Sequence, residues 1–131
     1  MSSRLLVFLY LAVFASSASA DALHVVSHLS GYKCMMLNIT AQQAMDPSFH
    51  VPVYAQPSQQ SQVVGYAALQ VAVRDPQKVV NGFVQALFPT GSTVWIPRNE
   101  LTTYHSLGDP TAKCVPAKMS NGRYGFDYPH G

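Results

Sequence analysis

The chain has 131 residues, of which 48% are hydrophobic and only 11% are charged, and its formal net charge is +2. Lysine and arginine number 8 against 6 acidic residues, a balance that gives no electrostatic case for binding nucleic acid or an anionic membrane. Nine prolines and eight glycines in so short a chain favour short strands and turns over long helices.

The first twenty residues have the three parts of an export signal. Arg4 supplies the positive charge, residues 5–14 (LLVFLYLAVF) form an apolar run, and Ala18-Ser19-Ala20 offers a small-residue cleavage site. A membrane anchor is the alternative, but ten apolar residues fall well short of the ~20 needed to span a bilayer. We therefore expect cleavage after Ala20 to release a soluble domain of 131 − 20 = 111 residues into the periplasm or the medium.

Both cysteines lie in this exported part, and they favour a structural bond. An even cysteine count in an oxidising compartment predicts an intramolecular disulfide between Cys34 and Cys114. The alternatives are a nucleophilic thiol or a metal ligand, but neither cysteine has a His, Asp or second Cys at ligand spacing. His24 and His28 stand four apart without a third ligand, so we interpret them as surface residues and expect no metal site.

Residues 21–50 form an N-terminal arm. Residues 21–31 (DALHVVSHLSG) have no clear period, and we expect an extended or poorly ordered lead-in. Residues 32–45 place apolar side chains at helical spacing on one side, which predicts a short amphipathic helix that begins near Cys34. Asp46-Pro47 ends it, because the residue before a proline is pushed out of the helical region.

Residues 51–104 predict a series of short strands separated by turn signals such as Asn81-Gly82. Strands of this length and spacing, with no strong helix between them, indicate a small antiparallel barrel, closed or partly open. A single helical turn at residues 97–101 leads into a last short strand. The preceding strands are expected at residues 51–54, from residue 63, and at residues 69–73, 83–88 and 93–96.

The order of motifs in this region resembles the bacterial Src-homology-3-like (SH3-like) family. The motifs are residues 53–58 (VYAQPS), 61–65 (SQVVG), 81–86 (NGFVQA), Thr90-Gly91 and Val94-Trp95-Ile96. The resemblance implies a mainly β fold: a five-stranded SH3-like antiparallel barrel, here with a short N-terminal helix and a disulfide-tied C-terminal tail. It also implies an exported binding module, since many relatives are attached to cell-wall peptidases or wall ligands. The chain departs from the family at Val94, where a glycine is usual, and at Phe83, where a tryptophan is usual.

A candidate ligand surface follows from the aromatic residues of the barrel and from a glutamine-rich loop. Tyr54, Tyr66 and Trp95 could form an exposed strip able to hold a peptide or glycan, beside Gln56 and Gln62. In the alternative, which we favour, Trp95 closes the core and the tyrosines pack around its rim.

Residues 105–131 form a C-terminal extension in which we expect little regular structure. Tyr124, Phe126 and Tyr128 alternate, so one extended segment could lay three rings on the barrel or offer them to a partner. Packing on the barrel is the interpretation we favour, because a tail tied down near Cys114 can reach the core.

Together these features favour a monomeric, non-enzymatic binding or adaptor module that recognises wall glycopeptide or an exported protein. A structural or inhibitory partner of another exported protein is the alternative. A small thiol-dependent wall hydrolase fits least, because only 30 residues follow Leu101 and Cys114 has no orienting third group. We identify no catalytic residue and expect no cofactor.

Overall fold

A computed structural model describes residues 22–130, and within them the chain is mainly β. The predicted export signal, residues 1–20, lies outside the described residues. One short α-helix, α1 (Ala41–Met45), and one 3-10 turn, Arg98–Glu100, interrupt the strands. In chain order the strands are β1 (Val25–His28), β2 (Tyr32–Leu37), β3 (Pro52–Tyr54), β4 (Val63–Tyr66), β5 (Gln70–Arg74), β6 (Val79–Val80), β7 (Phe83–Leu87), β8 (Thr93–Pro97), β9 (Leu101–Thr103), β10 (Val115–Met119) and β11 (Tyr124–Asp127).

The strands form two antiparallel sheets. The larger has the order β4-β3-β8-β7-β5-β2-β9, with β6 paired to β7, and the smaller has the order β1-β10-β11. In the larger sheet β4 and β9 are the two edges, so the sheet is not a closed barrel. The expected mainly β, antiparallel fold is confirmed, but a five-stranded barrel is not, because β2, which lies outside the predicted barrel, enters the sheet between β5 and β9.

The N-terminal arm contains most of the corrections to the predicted elements. Tyr32–Leu37 is strand β2 rather than the start of a helix, and its two neighbours, β5 and β9, satisfy its backbone on both sides. Within residues 22–50 of the arm, helical structure is confined to α1, where Thr40 and Gln43 form a capping box. No residue of α1 is buried, and Met45 is 84% exposed, so the expected amphipathic face is absent there.

The strands predicted between residues 51 and 104 are confirmed, and so is the helical turn before β9. The turn at Asn81-Gly82 joins β6 to β7 with positive φ at both residues, 52° and 78°. Asparagine and glycine are the residues that adopt this conformation most readily, which is why the dipeptide could be recognised from sequence.

Alternation along the central strands separates a buried face from an outer face. Val94 and Ile96 on β8 are 2% and 0% exposed, whereas Trp95 between them is only half-buried. The core is therefore closed by aliphatic side chains rather than by Trp95. It consists of Leu37, Val51, Val53, Val71, Val73, Val84, Ala86, Val94, Ile96 and Leu101.

The smaller sheet joins the two ends of the described chain, where we expected little regular structure. Val25 in β1 lies opposite Met119 in β10, and β10 forms a hairpin with β11. The predicted disulfide is confirmed: Cys34 in β2 is bonded to Cys114, immediately before β10, with Cα atoms 5.9 Å apart. This bond ties the smaller sheet to the larger one.

Candidate functional site

Three connecting segments converge at one end of the larger sheet. They are the loop of residues 56–62, the Asn81-Gly82 turn and the 3-10 turn Arg98–Glu100. The Arg98 backbone N–H donates to the Gly82 carbonyl at 2.9 Å, and Asn81 Nδ2 donates to the Pro57 carbonyl at 3.3 Å. The hairpin turn is therefore bonded to both of the other segments.

Internal hydrogen bonds order the loop of residues 56–62, even though much of it is exposed. At its base the Ala55 N–H donates to the Gln62 carbonyl at 3.0 Å, and the Gln56 N–H donates to Ser61 Oγ at 2.9 Å. At its tip Ser58 Oγ donates to the Gln60 side chain at 2.9 Å. Local bonds from serine to backbone and amide groups are typical of tight polar turns, so this loop is held in one shape.

The three segments enclose an open groove of about 570 Å³, which we call the amide groove. Its floor includes Phe83, which is only 6% exposed, and Pro97. Its walls carry three amide side chains and one cation, from Gln59, Asn81, Asn99 and Arg98. None of the described residues lining the groove is acidic, and no ion pair of residues 22–130 involves Arg98. The groove is therefore a mainly apolar recess whose walls carry amide groups and one cation.

Tyr54 and Trp95 extend this floor along the outer face of the sheet. They lie directly opposite each other on β3 and β8, and both are half-buried. The Tyr54 ring meets Phe83 edge to face, with centroids 5.6 Å apart and planes at 89°, a favoured geometry for aromatic pairs. The aromatic pair and the amide groove thus form one continuous surface.

The other residues of the candidate ligand surface have different positions. Tyr66, on the edge strand β4, stacks on His50 with ring centroids 4.7 Å apart. Gln56 and Gln62 are exposed at the base of the loop, where they do not line the amide groove, and Gln59 is the loop glutamine that does. Sequence reasoning missed Gln59, and it placed Arg98 in the helical turn of residues 97–101 without assigning it a role. The sequence predicted each of the three segments separately, as a glutamine-rich loop, the Asn81-Gly82 turn and a helical turn, but it gave no signal that they converge.

The ionisable groups whose pKa values depart from the ordinary range lie in loops and at the tail. Hydrogen bonds from the Thr111 hydroxyl and N–H, with His130 nearby, lower the pKa of Asp109, and Ser48 lowers that of Asp46 in the same way. These are exposed carboxylates that order their own turns. Across residues 22–130 no three histidine, cysteine or acidic side chains are grouped so as to hold a metal ion.

Comparison with protein-family models, with curated proteins and with solved structures found no match to this chain. In the described part of the chain, no helix has the length and apolarity needed to cross a bilayer.

The disulfide indicates an oxidising, extracytoplasmic environment, since such bonds rarely persist in the cytosol. Inference about function therefore depends on the geometry of the surface.

Proposed function

We propose that this protein is an exported, non-catalytic binding module of SH3-like type that recognises a cell-wall glycopeptide. The observation that carries the proposal is the convergence of three bonded segments into the amide groove, beside the Tyr54–Trp95 pair. The order of motifs along the central strands and the signal-like segment of residues 1–20 support the SH3-like type and export.

The chemistry of the surface matches a polymer of sugars and short peptides. The amides of Gln59, Asn81 and Asn99 each donate and accept hydrogen bonds, as sugar hydroxyls and peptide groups require. Arg98 has a planar guanidinium whose N–H groups can form a bidentate hydrogen bond with a peptide carboxylate. Aromatic faces such as Trp95 give an apolar platform for a sugar ring.

Two alternatives have less support. A thiol-dependent hydrolase would need a free nucleophile, but Cys114 is consumed by the disulfide. A structural or inhibitory partner would use the tail rings, but Tyr124 and Phe126 line a cleft between the two sheets, which leaves only Tyr128, 41% exposed, on the open surface. Neither alternative engages the amide groove.

The test is sedimentation of the purified, oxidised protein with peptidoglycan sacculi. We expect the protein to pellet with sacculi, and equally with sacculi stripped of protein by protease. Arg98→Gln should weaken this binding about tenfold, because it removes a charge-assisted hydrogen bond. Trp95→Ala should weaken it as well. Arg123→Gln is the matched control, since Arg123 is an exposed arginine away from the amide groove, and it should pellet like the wild type.

Three results would overturn the proposal. Absence of pelleting by the wild-type protein would remove the wall as the target, and pelleting that is lost after protease treatment would indicate a protein partner. Equal effects of Arg98→Gln and Arg123→Gln would show that the amide groove is not the contact surface.

A further inference from the structure

A second concavity, which we call the inter-sheet cleft, lies between the two sheets and has a volume of about 240 Å³. β11 forms one side, with Tyr124 and Phe126, and the segment from Phe88 to Thr90 forms part of the other. The deepest lining residues belong to the core of the larger sheet: Val53, Ala86 and Val94 are 1%, 1% and 2% exposed. The cleft therefore runs from the surface into the core.

Specific contacts fix the positions of the two sides of the cleft. The Tyr124 N–H donates to the Pro89 carbonyl at 2.9 Å, which fixes β11 beside the segment after β7. A Cβ added to Gly91 would lie 3.1 Å from the Tyr124 ring. A Cβ added to Gly65 would lie 2.6 Å from the Phe88 ring. Glycines at both places allow the two rings to line the cleft without a steric conflict.

The lining is almost entirely apolar, with one charge. Arg123, immediately before β11, is exposed and lines the cleft, which is the arrangement of a residue at the rim. Among the described residues it makes no ion pair, and no carboxylate lines the cleft. An apolar recess with a single cation at its mouth complements an apolar molecule with a single negative charge.

We propose that the inter-sheet cleft binds a small monocarboxylic acid, with its hydrocarbon body between the sheets and its carboxylate at Arg123. An apolar cavity of about 150 Å³ accommodates benzene, so 240 Å³ corresponds to roughly ten non-hydrogen atoms. Octanoate has this size. The site is distinct from the amide groove and does not depend on the glycopeptide proposal.

The test is isothermal titration of the purified, oxidised protein with straight-chain acids below their micellar concentrations. We expect affinity to rise about fourfold per methylene from butanoate to octanoate, as each group enters the apolar recess, and to stop rising by dodecanoate. Octanol should bind about tenfold more weakly than octanoate, because it cannot form the charge-assisted bond with Arg123.

Two variants locate the site. Arg123→Gln should weaken octanoate binding about tenfold and leave octanol binding unchanged. The matched control is Arg74→Gln, at an exposed arginine that lines neither the cleft nor the amide groove, and it should bind both ligands as the wild type does. Ala86→Leu should abolish binding of both ligands by filling the cleft from its floor, with folding checked by thermal unfolding. If Ala86→Leu does not fold, the comparison of octanoate and octanol binding by Arg123→Gln tests the proposal by itself.

The proposal fails if octanoate does not bind, if its affinity is independent of chain length, or if Arg123→Gln weakens the acid and the alcohol equally. Sedimentation with sacculi is a separate readout. The cleft proposal and the wall-binding proposal can therefore fail independently.

Discussion

Loss of the Cys34–Cys114 bond should cost this domain much of its stability. The two residues are 80 apart in sequence, and closing a loop of that length lowers the entropy of the unfolded chain by an amount worth about 4.5 kcal/mol at 25 °C. Small domains are typically stable by only about 5–15 kcal/mol. Reduction should therefore remove roughly a third or more of the total.

The assay is urea unfolding of the oxidised protein, the reduced protein and the Cys34→Ala/Cys114→Ala double variant. The reduced protein keeps both sulfur atoms, so its difference from the oxidised protein measures the cross-link alone. The double variant adds the loss of packing at Cys34, which is 8% exposed. Trp95 is the single tryptophan and lies in the larger sheet, so its fluorescence reports on that sheet, while amide exchange at Ala117 reports on the smaller one.

We expect amide exchange in the smaller sheet to accelerate on reduction before the tryptophan signal changes, because the bond is a covalent tie between the sheets. A loss of less than about 1 kcal/mol on reduction would refute the loop-entropy reasoning. Equal acceleration in both sheets would show that they unfold as one unit even without the bond.

Three further predictions concern single residues. Gly65→Ala places a Cβ 2.6 Å from the Phe88 ring and should destabilise the domain by about 1–3 kcal/mol in urea unfolding. Gly108→Ala is the control and should be neutral, because a Cβ there meets no atom within 4 Å. Equal effects of the two variants would contradict this packing. Gly82→Ala should cost about 1 kcal/mol in the same assay, because φ there is +78°, and an unchanged midpoint would argue against this turn. Burial raises the pKa of Tyr128, so the folded state keeps this proton longer than the unfolded chain. The stability that the protonated Tyr128 contributes is complete below its pKa in the unfolded chain, about 10, and is lost as pH rises through its pKa in the folded protein. Tyr128→Phe should therefore remove one late step from the titration of the protein followed by tyrosinate absorbance.

The two proposed sites use different parts of the fold. The amide groove is built from turns at one end of the larger sheet, around Asn81 and Arg98. The inter-sheet cleft depends on how the smaller sheet, with Arg123 and Tyr124, lies against the larger one. Measuring both Arg98→Gln and Arg123→Gln in the sacculus sedimentation assay and in the octanoate titration tests directly whether the two sites are separate.

The sequence by itself determined the central strands, the turn at Asn81-Gly82 and the pairing of the cysteines. The strands and the turn depend on local chemistry: alternation of apolar residues and a dipeptide that tolerates positive φ. The cysteine pairing follows instead from an even count of two in a chain with an export-like start. Local chemistry of this kind is written in neighbouring residues. It can therefore be recognised without knowing the rest of the fold.

Only the tertiary structure decided the state of the two ends and the number of strands. Residues 32–37 have apolar side chains compatible with a helix or a strand, and pairing with β5 and β9 selects the strand. Val25 in β1 pairs with Met119 in β10, near the other end of the described chain, and no local sequence pattern predicts this pairing. Both candidate sites are made of contacts between residues far apart in sequence, since the Arg98 N–H donates to the Gly82 carbonyl and the Tyr124 N–H donates to the Pro89 carbonyl.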